Sequence, residues 1–121
     1  MIQTLSLVAL GGALGSVLRY VALLALPAPW GVMAVNVLGS FLIGLLFVPV
    51  GRLGLSPLVM TGLLGGFTTF SAFSLDALRL WTAGAVGQAA IYVAGSVLVS
   101  LAAVAAGGWL FQFLQDRWAL S

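Results

Sequence analysis

The sequence predicts an all-α membrane protein of four transmembrane helices, with the third broken near mid-membrane. Three observations carry this. The 121 residues are 63% hydrophobic and 5% charged, whereas a soluble domain carries about 25% charged residues; so few charges cannot clothe a water-facing surface. Helix breakers divide the chain into four runs, each long enough to supply the ~20 apolar residues that cross a ~30 Å hydrocarbon core. Within the third run stands GGFTTFSAF, residues 65–73, a stretch that a lipid-facing helix does not need.

The first helix covers about 2–26 and stops at PAP (27–29), where two prolines end the hydrogen-bond ladder. Its N-terminus lacks the positive region of a cleaved signal peptide and is read as a mature spanning segment. The second helix covers about 30–50 and ends at PVGRLG (49–54), the third about 56–81 and ends near RLWTAG (79–84), and the fourth about 85–115 and ends at QDRWALS. Connections of a few residues make neighbouring helices antiparallel, and residues 1–121 read as a single domain. Trp30, Trp81, Trp109 and Trp118 fall near the expected water boundaries, where amphipathic rings anchor a helix.

The composition excludes several chemistries. With no histidine, cysteine or lysine, there is no thiolate or imidazole metal site and no triad with a histidine base. The pI near 10 rests on four arginines against two aspartates with no basic cluster, so it signals no nucleic acid. Orientation is nearly unspecified: Arg52 and Arg117 fall on one side, and Arg79 and a snorkelling Arg19 on the other. The positive-inside rule has almost nothing to act on, and insertion in both orientations followed by antiparallel pairing is the natural solution. Small residues at Gly11-xxx-Gly15, Gly12-xxx-Ser16 and Ser40-xxx-Gly44 let helix backbones approach closely, within one chain or between two.

Polar groups deep in hydrocarbon default to pathway or packing roles. Asn36 offers two donors and an acceptor for an interhelical bond or for an ion. Gln88, Tyr92, Ser96 and Ser100 recur every four residues on one ridge of the fourth helix, a spacing that favours a wetted track. In the opening stretch Gly65 and Gly66 weaken the helix, and Thr68, Thr69 and Ser71 can bond backbone groups around a break. Non-helical backbone at this depth survives only if it is buried in protein or lines a cavity. Phe70 and Phe73, three apart, share a face of the second half-helix and present ring edges that are electropositive. Arg19 either snorkels to the interface or lends potential to an anion vestibule, and Asp76 and Arg79 stand at the spacing of an ion pair.

GGFTTFSAF, preceded by GVMAVNVLGSFLIG (31–44) and followed by a Tyr/Ser-striped last helix, closely resembles the Fluc/CrcB family of fluoride channels over essentially the whole chain. The resemblance implies an antiparallel dual-topology homodimer in a bacterial-type cell (inner) membrane. It implies passive fluoride flow that lowers cytoplasmic fluoride and its toxicity, with no enzymatic reaction. It further implies a structural, non-transported Na+ held by backbone carbonyls of Gly65 and Thr68. Phe70 and Phe73 would line the pore, Asn36 would donate to the ion, Tyr92, Ser96 and Ser100 would form the polar track, and Arg19 would be the vestibule arginine. Two departures from the family pattern are Val32 and Ala72, positions where threonine is usual. Fluoride is small and strongly hydrated, so the implied pore needs close neutral donors and no mid-depth cation that would hold it too tightly. Two other readings are a small proton-coupled exporter, which needs an intramembrane carboxylate and has only Asp76, and a structural subunit of a larger assembly.

Overall fold

The computed structural model describes residues 1–119 and consists of helices joined by short turns. Helix α1 is Ile2–Ala25 and α2 is Trp30–Arg52. A π-helical segment, Pro57–Leu64, runs into the single turn α3, Gly65–Phe67. After two extended residues, α4 spans Phe70–Thr82, and α5 spans Val86–Ala119. Four segments are long and apolar enough to cross a membrane, the third being Pro57–Thr82 as a whole. Two left-handed glycines, Gly54 (φ 70°) and Gly84 (φ 80°), turn the chain after α2 and α4; neither position suits a residue with a Cβ.

Most large apolar side chains point outward, the reverse of a water-soluble fold. The buried apolar set is small: Val32, Val35, Val50, Leu64, Phe73, Ala89 and Tyr92. Cohesion comes instead from backbone proximity. A Cβ at Gly11 would fall on the Leu58 carbonyl, and one at Gly15 on the Leu63 carbonyl, so α1 lies directly against the π-helical segment. A Cβ at Gly44 would strike the Val104 carbonyl, and one at Gly107 the Phe41 carbonyl, so α2 and α5 cross in the same way. The Gly11-xxx-Gly15 pair therefore serves packing inside the chain, and the Gly44 end of Ser40-xxx-Gly44 does likewise.

Helix boundaries depart from expectation in three places. Helix α2 continues through Pro49 to Arg52, since a proline this close to a helix end removes few ladder bonds. Helix α5 runs on to Ala119 because Gln, Asp, Arg and Trp in QDRWA contain no breaker. The π-helical geometry of Pro57–Leu64 was not anticipated. Its wider turn is visible in the Gly65 N–H, which bonds the Met60 carbonyl five residues back.

Candidate functional site

The break falls at Thr68 and Thr69. Their backbones are extended (φ −80°, ψ 157° and φ −152°, ψ 119°), so two residues leave the helix and re-enter it. Each threonine hydroxyl secures one side. Thr68 Oγ1 donates to the Leu64 carbonyl at 2.9 Å, and Thr69 Oγ1 accepts from the Ala72 N–H at 3.1 Å as the N-cap of α4. Thr69 Oγ1 also lies 3.2 Å from Ser71 Oγ.

Two residues from other helices grip the same backbone. Asn36 Nδ2 donates to the Thr69 carbonyl at 2.9 Å, while the Thr69 N–H donates to Asn36 Oδ1 at 2.7 Å. This two-point contact reproduces the pairing that a neighbouring strand would offer an extended residue. In an unbroken helix the Thr69 N–H would close on the Gly65 carbonyl, so the clamp also releases that oxygen. Arg19 Nη1 donates to the Thr68 carbonyl at 3.1 Å. The sequence left Arg19 between interfacial snorkelling and a vestibule and expected no cation at this depth; the structure turns its guanidinium inward to the break. The physical reason is the exposed carbonyl, which has no helical partner and attracts the nearest strong donor.

Beside the break lies a groove of about 310 Å³ lined by Asn36, Ser40, Phe70, Phe73, Ser96 and Ser100 among others. All but Ser40 were singled out as site candidates from the sequence; Ser40 was noted only as a small packing residue, and its hydroxyl was the missed signal. Tyr92 stands next to the groove, its ring 5.5 Å from that of Phe73, which lies 5.2 Å from that of Phe70. Trp30 meets Tyr92 edge-on at 6.0 Å, so it packs on the ring series as well as marking a boundary. Phe73 and Tyr92 are buried, but Phe70 is 76% exposed, so the groove is unfinished on that flank. Val32 and partly buried Ala72 pack with Phe73 and Tyr92, which makes both departures apolar neighbours of the ring series.

Among the described residues, the Tyr92 hydroxyl and Ser96 Oγ are buried and make no hydrogen bond, as is also true of Asp76 Oδ2. A buried polar atom left unpaired costs about 1–3 kcal/mol, so two in succession on one ridge call for a ligand or water as partner. Gln88, at the end of that ridge, is exposed. Asp76 is buried and pairs with Arg79 at 3.2 Å, as the i, i+3 spacing suggested. What results is an apolar groove with hydroxyl and amide donors, two phenylalanine rings, and the positive N-terminal end of α4.

Comparison with known proteins agrees in extent and kind. The family described as "CrcB-like protein, Camphor Resistance (CrcB)" matches residues 6–108. A protein of Agrobacterium fabrum named "Fluoride-specific ion channel FluC" is 52% identical, the match covering 85% of this chain and 91% of the relative. One of the same name from Cereibacter sphaeroides is 50% identical over 91% of this chain and 99% of its own length. A third, from Jannaschia sp., is 60% identical over 71% of this chain and 83% of its own.

Proposed function

The chain belongs to the CrcB-like protein family, and on that premise we propose that it is a fluoride-specific ion channel, a multi-pass membrane protein that passes the anion down its electrochemical gradient. It is a channel and not an enzyme. The observation that carries this reading is the pair of buried, unpartnered hydroxyls of Tyr92 and Ser96 beside the Phe70 and Phe73 rings. An anion entering the groove receives hydrogen bonds from neutral donors and meets electropositive ring edges. Each contact is individually weak enough to release the ion to the next, as conduction requires. Ser100 and Ser40 extend the donor set along the groove. Asn36 has one amide proton beyond the one given to Thr69, so it can hold the break and still face the ion.

The functional unit is an antiparallel homodimer formed by dual insertion. The exposure of Phe70 and the near balance of arginines between the two ends support this, because a second copy would close the open flank of the groove. The Gly65 and Thr68 carbonyls would hold Na+ as a structural, non-transported ion. The donor set fits a hard monovalent cation: both ligands are neutral backbone oxygens, and the Gly65 oxygen is released by the Asn36 clamp. The Thr68 oxygen already accepts from Arg19, so only its second lone pair would be open to a metal. Bound there, sodium would supply electrostatic attraction for the carbonyls of the break.

Purified protein in liposomes releases loaded fluoride, read by a fluoride electrode, and retains chloride under the same gradient. A folded sample that releases neither ion overturns the channel reading. Reporter fusions at both termini are expected to give mixed orientation, and a uniformly one-sided C-terminus overturns the antiparallel dimer.

A further inference from the structure

The family match ends at residue 108, and α5 does not. Its 34 residues span roughly 51 Å at ~1.5 Å each, against a hydrocarbon core of ~30 Å. The last turns therefore leave the core, and their level is fixed by a neighbour. With the Gln115 amide turned so that its oxygen faces Arg52, it accepts from Nη1 at 3.3 Å and Nη2 at 3.2 Å. Arg52 ends α2, so Gln115 sits at the boundary that α2 reaches, and Trp109 lies roughly 9 Å deeper by helical rise.

Along the exposed side of this segment runs a ladder at i, i+4 spacing. The rings of Trp109 and Phe113 stack at 5.5 Å with an interplanar angle of 19°, and the Arg117 guanidinium lies 5.8 Å from the centre of the Phe113 ring. Arg117 makes no ion pair among the described residues, and adjacent Asp116 does not share its helix face. A cavity of about 430 Å³ opens here, lined by Phe113, Leu114, Arg117 and Trp118.

We propose that this end of α5 is a binding site for one anionic phospholipid. The guanidinium, fixed over Phe113, offers a planar fork of donors matched to phosphate oxygens. Below it, Leu114, Phe113 and Trp109 give an acyl chain an apolar floor that free phosphate cannot use. A zwitterionic headgroup carries its own cation next to the phosphate and gains less from Arg117 than a headgroup with uncompensated charge.

The test is native mass spectrometry of the full chain in detergent, titrated with dioleoyl phosphatidylglycerol or dioleoyl phosphatidylcholine. Wild type is expected to retain phosphatidylglycerol about fivefold better, the factor that one basic group near an anionic surface supplies. Arg117→Gln brings retention to the phosphatidylcholine level, and Phe113→Leu, which keeps the apolar floor but removes the platform, lowers it. Arg79→Gln, a control charge paired with Asp76 away from this end of α5, leaves the preference in place, and millimolar inorganic phosphate does not displace the lipid. Equal retention of the two lipids by wild type overturns the proposal. So does a preference that survives both Arg117→Gln and Phe113→Leu, one lost equally in Arg79→Gln, or displacement by phosphate. Should Arg117→Gln fail to fold, Phe113→Leu alone decides: an undiminished preference in that variant overturns the site.

Discussion

Replacing Asn36 with alanine removes two side-chain bonds to the Thr69 backbone at once, the 2.9 Å bond to its carbonyl and the 2.7 Å bond from its N–H. Two effects compete in setting the magnitude. Hydrogen bonds between side chains of membrane helices average only about 0.6 kcal/mol, because freed groups find other partners. A buried backbone group left unpaired costs about 1–3 kcal/mol, and that case applies to the Thr69 N–H, which has no helical acceptor; the Thr69 carbonyl, at the N-cap of α4, keeps the first bond of that helix. The break therefore loses about 1–3 kcal/mol of local stability by that rule. At roughly 1.4 kcal/mol per decade, hydrogen-exchange protection of the segment 67–70 drops at least about fivefold. Exchange by mass spectrometry and fluoride efflux are measured on the same preparation. We expect both to fall, with Asn36→Asp recovering part of the protection because it keeps the acceptor for the Thr69 N–H. Lost efflux with unchanged protection would refute the clamp and leave Asn36 as an ion ligand alone.

Other substitutions separate packing from conduction. Phe70→Ala, at an exposed ring, is expected to abolish efflux with little change in the thermal unfolding of the subunit, whereas Phe73→Ala costs about 3–5 kcal/mol as a buried aromatic and unfolds the protein earlier. Gly11→Ala places a Cβ on the Leu58 carbonyl and is expected to abolish the monodisperse folded peak in gel filtration. Gly87→Ala, with open space around it, is neutral or slightly stabilising in the same assay. Arg19→Gln leaves the Thr68 carbonyl with a weaker, shorter donor, so efflux falls and Arg19→Lys restores more of it than Arg19→Gln.

Much of this was legible in the sequence because lipid narrows the options. Apolar runs had to be helices, and Gly-Gly followed by Thr-Thr in the middle of one had to be a break with a use. Asn36, Phe70, Phe73, Ser96 and Ser100 meet at one groove because each was already conspicuous as polar or aromatic among Ala, Val and Leu. The π-helical turn of Pro57–Leu64 was not legible, since PLVMTGLL has the same apolar character in either helix type. The destination of Arg19 was equally hidden. A long side chain near a helix end has two exits, and the choice depends on the Thr68 carbonyl, 49 residues away in the chain. Ser40 was seen as a spacer because small size and a hydroxyl are carried by the same residue.

The four arginines bear on how the proposed anion pathway would work without a charged ligand. Arg19 is bonded to the Thr68 carbonyl, Arg52 to Gln115, Arg79 to Asp76, and Arg117 lies over Phe113. Among the described residues none of them lines the groove. A guanidinium in contact with a small anion at low dielectric would bind it far more tightly than a hydroxyl does, since the Coulomb energy grows as the dielectric falls. Slow release would then limit flux. Engaging each cation elsewhere leaves the groove to neutral donors, ring edges and the N-terminal end of α4. Placing one unpaired cation there makes the contrary case: Ser100→Arg, at the groove's partly buried end, should still admit fluoride but slow its passage and raise its apparent affinity. Efflux from Ser100→Arg channels as fast as wild type, measured at matched protein density, would show that release is not what the neutral lining protects.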